Sequence, residues 1–157
     1  AFVNGIKLWN TPMIPLLFAV GGIWGGIGLT VATVLSTGQS WELASLEPWS
    51  RLFLTGYAII LIVYLVSIRY AGEEGNVSVE QIVKGRWRTL FWVMVAGFGI
   101  AAPLIVMLLH LAGGFEAPIS LIYSLIFFEL LGDLSLRYCI LRCGYYHPLI
   151  PSTTYSY

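Results

Sequence analysis

The sequence predicts an all-α integral membrane protein, a four-transmembrane-helix bundle with both termini cytoplasmic. Three observations predict it. Of the 157 residues, 58% are hydrophobic and only 10% charged, with a mean hydropathy of +0.83, whereas soluble domains carry about 25% charged residues. Four long stretches are free, or nearly free, of charge. The remaining Lys and Arg residues gather in loops on one side of those stretches. Net charge is zero, which removes the electrostatic basis for binding nucleic acid or an acidic substrate.

Each span follows from its length. A helix rises about 1.5 Å per residue and the hydrocarbon core is about 30 Å thick, so roughly twenty residues cross it. No charge falls between Lys7 and Glu42, and the first span is expected over about 11–36. It lacks a basic leader and is too long for the apolar region of a signal peptide. The absence of an initiating Met leads to the expectation that the chain is part of a longer polypeptide. The second span, about 50–70, holds seventeen uncharged residues from Leu52 to Ile68 between Arg51 and Arg69. Its flanking aromatics and arginines complete the crossing. Thr89 to Phe115 is a run of twenty-seven, predicting a third span over about 89–112. The fourth, about 118–140, is interrupted only by Glu129, Asp133 and Arg137. The one long polar connection, 71–88, places Val79, Ile82, Val83 and Trp87 near one helical stripe beside Lys84, Arg86 and Arg88, the pattern of a short interfacial helix.

Orientation follows from the loops. Lys7, Arg69, Lys84, Arg86, Arg88 and Arg142 fall on one side and Arg51 alone on the other, with Glu42, Glu47 and Glu116. Basic residues concentrate on the cytoplasmic face, which places both termini and the 71–88 loop there. Trp9, Trp41, Trp49, Trp87 and Trp92 stand near span ends, where aromatic belts form.

Packing signals are present in two spans. Gly21 and Gly25 are four apart, as are Gly22 and Gly26, a small-residue ridge that lets another helix backbone approach closely. Pro103, mid-span, removes one backbone bond and frees the carbonyl near Gly99, predicting a kink there.

Redox and metal signals are weak. His110 and His147 fall at opposite ends of the predicted bundle, too far apart to clamp one haem, and no haem or metal is expected in this chain. Cys139 and Cys143 are one turn apart, neither a redox CxxC nor a zinc pattern, and read as small core residues. No phosphate loop or nucleophile elbow occurs.

The chemistry therefore centres on "FFELLGDLSLRYCIL". Glu129, Asp133 and Arg137 are spaced by four, so they share one helix face. Glu129 falls near the midplane; Asp133 is about 6 Å and Arg137 about 12 Å nearer the cytoplasm. A central charge costs at least about 2.5–3.5 kcal/mol, so the stripe must face the bundle interior. Two readings stand side by side: an Asp133–Arg137 pair that locks the bundle, and a line of carboxylates that passes protons between the midplane and the cytoplasm. Intramembrane carboxyls without an adjacent cation, such as Glu129, are the groups proton relays use.

The frame "ELLGDLSLRYCILRCGYYHPLIP" resembles the closing helix of the polysulfide reductase NrfD family, and "LWNTPMIPLLFAVGGIWGGIGL" resembles the segment that opens that family's second four-helix bundle. The resemblance covers nearly the whole sequence but only the family's second bundle, which implies either the C-terminal half of a longer member, with the remaining N-terminal membrane half as a partner, or bundles that have been separated. It implies a multi-pass subunit of the prokaryotic cytoplasmic (inner) membrane that exchanges electrons with the quinone pool. Quinone or menaquinone is then the substrate, a four-cluster ferredoxin-like iron–sulfur subunit the partner, and a molybdopterin oxidoreductase the catalytic subunit beyond it. The chain itself is then a non-catalytic membrane subunit, with possible proton conduction along the last helix. Asn10, Asp133 and Arg137 match recurring positions of the family's second half. No quinone-binding residue carries over, because the family's described pocket lies mostly in its first bundle. The residues also admit two other readings: a small proton-coupled transporter using Glu129, or a bare membrane anchor.

Overall fold

A computed structural model describes residues 8–9, 11–38, 40–114 and 118–144, without the side chains of 40–44 and 74. Lys7, Asn10, Glu116 and His147, and the side chains of Trp41 and Glu42, lie outside the described residues. The described residues form helices and turns only.

Helix α1 (Met13–Thr37) starts immediately after Pro12, where Thr11 Oγ1 accepts the Met13 N–H at 3.3 Å. It stops at Gly38, whose φ of +75° is the left-handed geometry that glycine adopts without strain. Helix α2 (Ser40–Arg69) follows at once and carries Pro48 in its first third. Helix α3 (Glu73–Val83) is short and two-faced: Val79 and Ile82 are buried, and Val83 and Trp87 pack partly against the core. It lies against α2 and the start of α4, where Trp92 Nε1 donates to the Val83 carbonyl at 3.0 Å.

Helix α4 (Leu90–Gly113) changes winding half-way. Leu90–Ala101 is π-wound and Ala102–Gly113 is α-helical; at the junction the Ala102 N–H donates to the Gly97 carbonyl, five residues back. Pro103 thus occupies the first turn of the α segment, where a missing N–H costs little. The irregularity expected near Gly99 takes the form of this wide winding before the proline. Helix α5 (Ile119–Arg142) completes the bundle.

Among the described residues, four helices are long and apolar enough to cross a membrane: Met13–Thr37, Ser45–Arg69, Leu90–Gly113 and Ile119–Arg142. Their outer faces carry exposed Ile23, Leu29, Ile62, Leu108, Phe127 and Leu134. Such surface is unfavourable in water and is solvated by lipid tails.

Helix order around the bundle is set by small residues. α1 packs against α2 and α5, and α5 runs along the π-wound half of α4. The two glycine pairs of α1 have different fates. Gly21 and Gly25 face neighbours, where an added Cβ would lie 2.7 Å from Asp133 Oδ1 and 3.1 Å from Leu130 Cδ2 respectively; Gly22 and Gly26 have nothing within 4 Å. The ridge predicted for both pairs is therefore built by Gly21 and Gly25. A second close approach had no predicted counterpart. A Cβ on Gly132 would sit 2.7 Å from Gly99 Cα, so α4 and α5 cross backbone to backbone.

The packed core lies in the half of the bundle nearer Arg69 and Arg142. Leu17, Tyr57, Tyr64, Leu136 and Ile140 are at most 1% exposed there, and Tyr64 donates its hydroxyl to the Leu8 carbonyl at 2.9 Å. In the other half, α2 and the later part of α4 scarcely touch.

Candidate functional site

The predicted stripe on α5 divides in two. Asp133 and Arg137 are tied together: Arg137 Nε donates to Asp133 Oδ2 at 2.8 Å. Tyr57 of α2 donates its hydroxyl to Asp133 Oδ1 at 3.1 Å. Arg137 also reaches α1, donating to the Phe18 carbonyl at 3.3 Å, with its guanidinium 4.8 Å from the Phe18 ring centre. Three helices are thus joined through one ion pair, and its charges are satisfied by hydrogen bonds as a low-dielectric setting demands.

Glu129 is placed differently. It is only 7% exposed, and its Oε1 has no hydrogen-bond partner. The buried indole N–H of Trp24, on α1, is also without one. Both groups line the same cavity of about 390 Å³, bounded by α1, α2, α4 and α5. Gly28 makes room there: its Cα carries no side chain where a Cβ would meet Glu129 Oε1 at 3.5 Å. Trp24 is held by Tyr57, ring centres 5.2 Å apart, so the wall of the cavity abuts the Asp133 cluster.

At the far rim stands a polar cluster of which the sequence read Glu47 and Arg51 as charges flanking a span and His110 as a rejected haem ligand. Glu47 and Arg51 form an ion pair on α2, and His110 Nε2 of α4 lies 3.4 Å from Glu47 Oε1. This cross-link spans the gap between α2 and α4. Pro103, Val106 and Met107 of α4 and Ile126 of α5 supply apolar wall.

The structure therefore brings Asp133 and Arg137 together, sets Glu129 apart facing the cavity, and leaves Asn10 outside the described residues. It adds Trp24, Gly28, Tyr57, Glu47, Arg51 and His110. Of these, Tyr57 was visible as a mid-span hydroxyl, a group that requires a partner in hydrocarbon; nothing in the spacing paired it with Asp133. Cys139 and Cys143 are buried free thiols. Among the described residues, no three His, Cys, Asp or Glu side chains gather closely enough to hold a metal ion.

Comparison with known proteins places this architecture. The family model "Polysulphide reductase, NrfD" matches residues 1–148. The chain belongs to the NrfD polysulphide reductase family. It is 30% identical over 142 residues to the C subunit of the polysulfide reductase of Wolinella succinogenes, covering 87% of this sequence and 44% of that protein. It is 26% identical over 140 residues to "Protein NrfD homolog" of Haemophilus influenzae, covering 86% and 43%. It is 28% identical over 142 residues to "Protein NrfD" of Escherichia coli, covering 86% and 43%. The chain thus spans less than half the length of these curated relatives. No solved structure matches it. As an NrfD-family member with four helices, among the described residues, able to cross a membrane, it is a multi-pass protein of the prokaryotic inner membrane.

Proposed function

We propose that this protein serves a respiratory oxidoreductase complex as its quinone-linked membrane subunit, passing electrons between the quinone pool and an iron–sulfur partner. The observation that carries the reading is the family match over residues 1–148. One relative is by name a lettered component of a polysulfide reductase, which supports a place in a multi-subunit complex with iron–sulfur and molybdopterin subunits. The end bearing Arg69, Lys84, Arg86, Arg88 and Arg142 is the cytoplasmic one by the distribution of basic residues, with Arg51 alone at the other.

Within that role, α5 provides the proton-active carboxyl. Asp133 and Arg137 hold three helices in register and Glu129 exchanges the proton. The division rests on partners: Asp133 is engaged by Arg137 and Tyr57, whereas Glu129 Oε1 is buried and unengaged.

Affinity purification of the full complex from native membranes tests the electron-transfer role. An iron–sulfur protein with four clusters should co-purify, visible by its reduced-state paramagnetic signals, and quinol analogues should inhibit turnover. Isolation without any iron–sulfur protein, and turnover indifferent to quinol analogues, would sink it. Glu129→Gln should lower proton uptake per turnover in assembled complex, with assembly retained.

A further inference from the structure

We propose that Glu129 exchanges protons only with the solution at the bundle end carrying Glu47, Arg51 and His110, through the cavity between α1, α2, α4 and α5. The inference rests on the proton-active role assigned to Glu129 above, and adds the side from which the proton comes. It reverses the direction read from the sequence, in which the α5 stripe leads from Glu129 toward Asp133 and Arg137.

The argument is an asymmetry of packing. On the Arg137 side of Glu129 the bundle is closed. An added Cβ on Gly21 would lie 2.7 Å from Asp133 Oδ1 and 2.9 Å from Tyr57 Cε2, so α1, α2 and α5 are packed closely there. Leu17, Tyr64 and Leu136, all 0% exposed, fill the layer beyond. Asp133 is held by Arg137 and Tyr57, so moving a proton onto it would remove the charge that strengthens both interactions.

On the other side the bundle is hollow. The cavity of about 390 Å³ reaches from Glu129 and Trp24 to Ser50, Glu47, Arg51 and His110. One water occupies about 30 Å³ of liquid, so there is room for on the order of ten. Water in such a space needs polar partners. The unpartnered Glu129 Oε1 and Trp24 Nε1 supply them at the floor, and the Glu47–Arg51 ion pair with His110 beside it supplies them at the rim. Glu129 is ten residues into α5, about 15 Å from its start at 1.5 Å per residue. A short water file covers that depth. Hydronium arriving along it gives its proton to the carboxylate, leaving water and the neutral acid, and the reverse step returns the proton.

Sided thiol labelling of the full complex in oriented membrane vesicles tests this. In a Cys139→Ala, Cys143→Ala background, Thr37→Cys reports the cavity end and Tyr70→Cys the opposite end. A charged, membrane-impermeant thiol reagent should consume the Glu129→Cys thiol from the side that labels Thr37→Cys and leave it intact from the side that labels Tyr70→Cys. Added Met107→Trp, which fills the cavity, should abolish that loss. Should Glu129→Cys not assemble, Ile126→Cys, one turn nearer the mouth, gives the same readout. Labelling from the Tyr70→Cys side, or only by a lipid-soluble maleimide, overturns the inference. Sided labelling with normal proton uptake in Glu129→Gln would instead overturn the proton role on which it rests.

Discussion

Replacing Gly132 by Ala should separate α4 from α5, whereas the same change at Gly22 should do nothing harmful. A Cβ at Gly132 would stand 2.7 Å from Gly99 Cα and 2.9 Å from the Met94 carbonyl oxygen. Carbon atoms in contact prefer about 3.5–4.0 Å, so the helices must open by roughly 0.8 Å at that point. The obstructing atoms belong to backbone, so no rotamer change relieves them. Overpacking of this type costs about 1–3 kcal/mol, offset by up to about 1 kcal/mol because Ala is the better helix former. At Gly22 an added methyl meets nothing within 4 Å, leaving only the favourable term. Reversible unfolding in mixed detergent, followed by circular dichroism, should show Gly132→Ala less stable than wild type and Gly22→Ala equal or better. Turnover should fall with Gly132→Ala as well, because Glu129 and Asp133 flank the crossing on the same helix and move with it. Equal stability of the two variants would refute the backbone crossing.

Two further outcomes follow from the polar contacts. Tyr57→Phe removes one bond to a charged carboxylate and should cost about 1.5–3 kcal/mol, whereas Asp133→Asn takes the charge from both that bond and the one to Arg137; the yield of assembled complex should fall further for Asp133→Asn, and the reverse ranking would remove the ion pair from its locking role. Trp92→Phe deletes the bond to the Val83 carbonyl, so hydrogen exchange should speed up across Glu73–Val83 while the midpoint of global unfolding barely moves; unchanged protection would mean that α3 is held by Val79 and Ile82 alone.

The two carboxyls of α5 show how far spacing reaches. Positions four apart lie on one helical face whatever surrounds them, so the common line of Glu129, Asp133 and Arg137, and the need to turn that line inward, were legible in the sequence. Spacing says nothing about what lies opposite. Tyr57 is 76 residues away from Asp133, and only the packing of α2 across α1 and α5 makes it a partner. The glycines show the same limit. Two pairs on α1 carry identical local signals, and which pair meets α5 depends on the rotation of α1 about its own axis. The Gly99–Gly132 crossing escaped because neither glycine has another four residues away to mark a ridge: Gly132 is the single glycine of α5, and Gly97 and Gly99 are two apart.

Composition and the lengths of the uncharged runs determined the membrane class, the four crossings and the helical content. In hydrocarbon a backbone can satisfy its own polar groups only within a helix or a closed barrel, so those choices are forced one segment at a time. The "GDLSLRYC" frame carried the resemblance to the family. The tertiary structure decided which half of the bundle is solid and which is hollow. That outcome depends on side-chain volumes summed across four helices: large aromatics such as Tyr57 and Tyr64 fill one end, while Gly28 and the sparse contact between α2 and α4 leave the other open. Glu129 falls at the boundary between the two, and its surroundings are set by that sum.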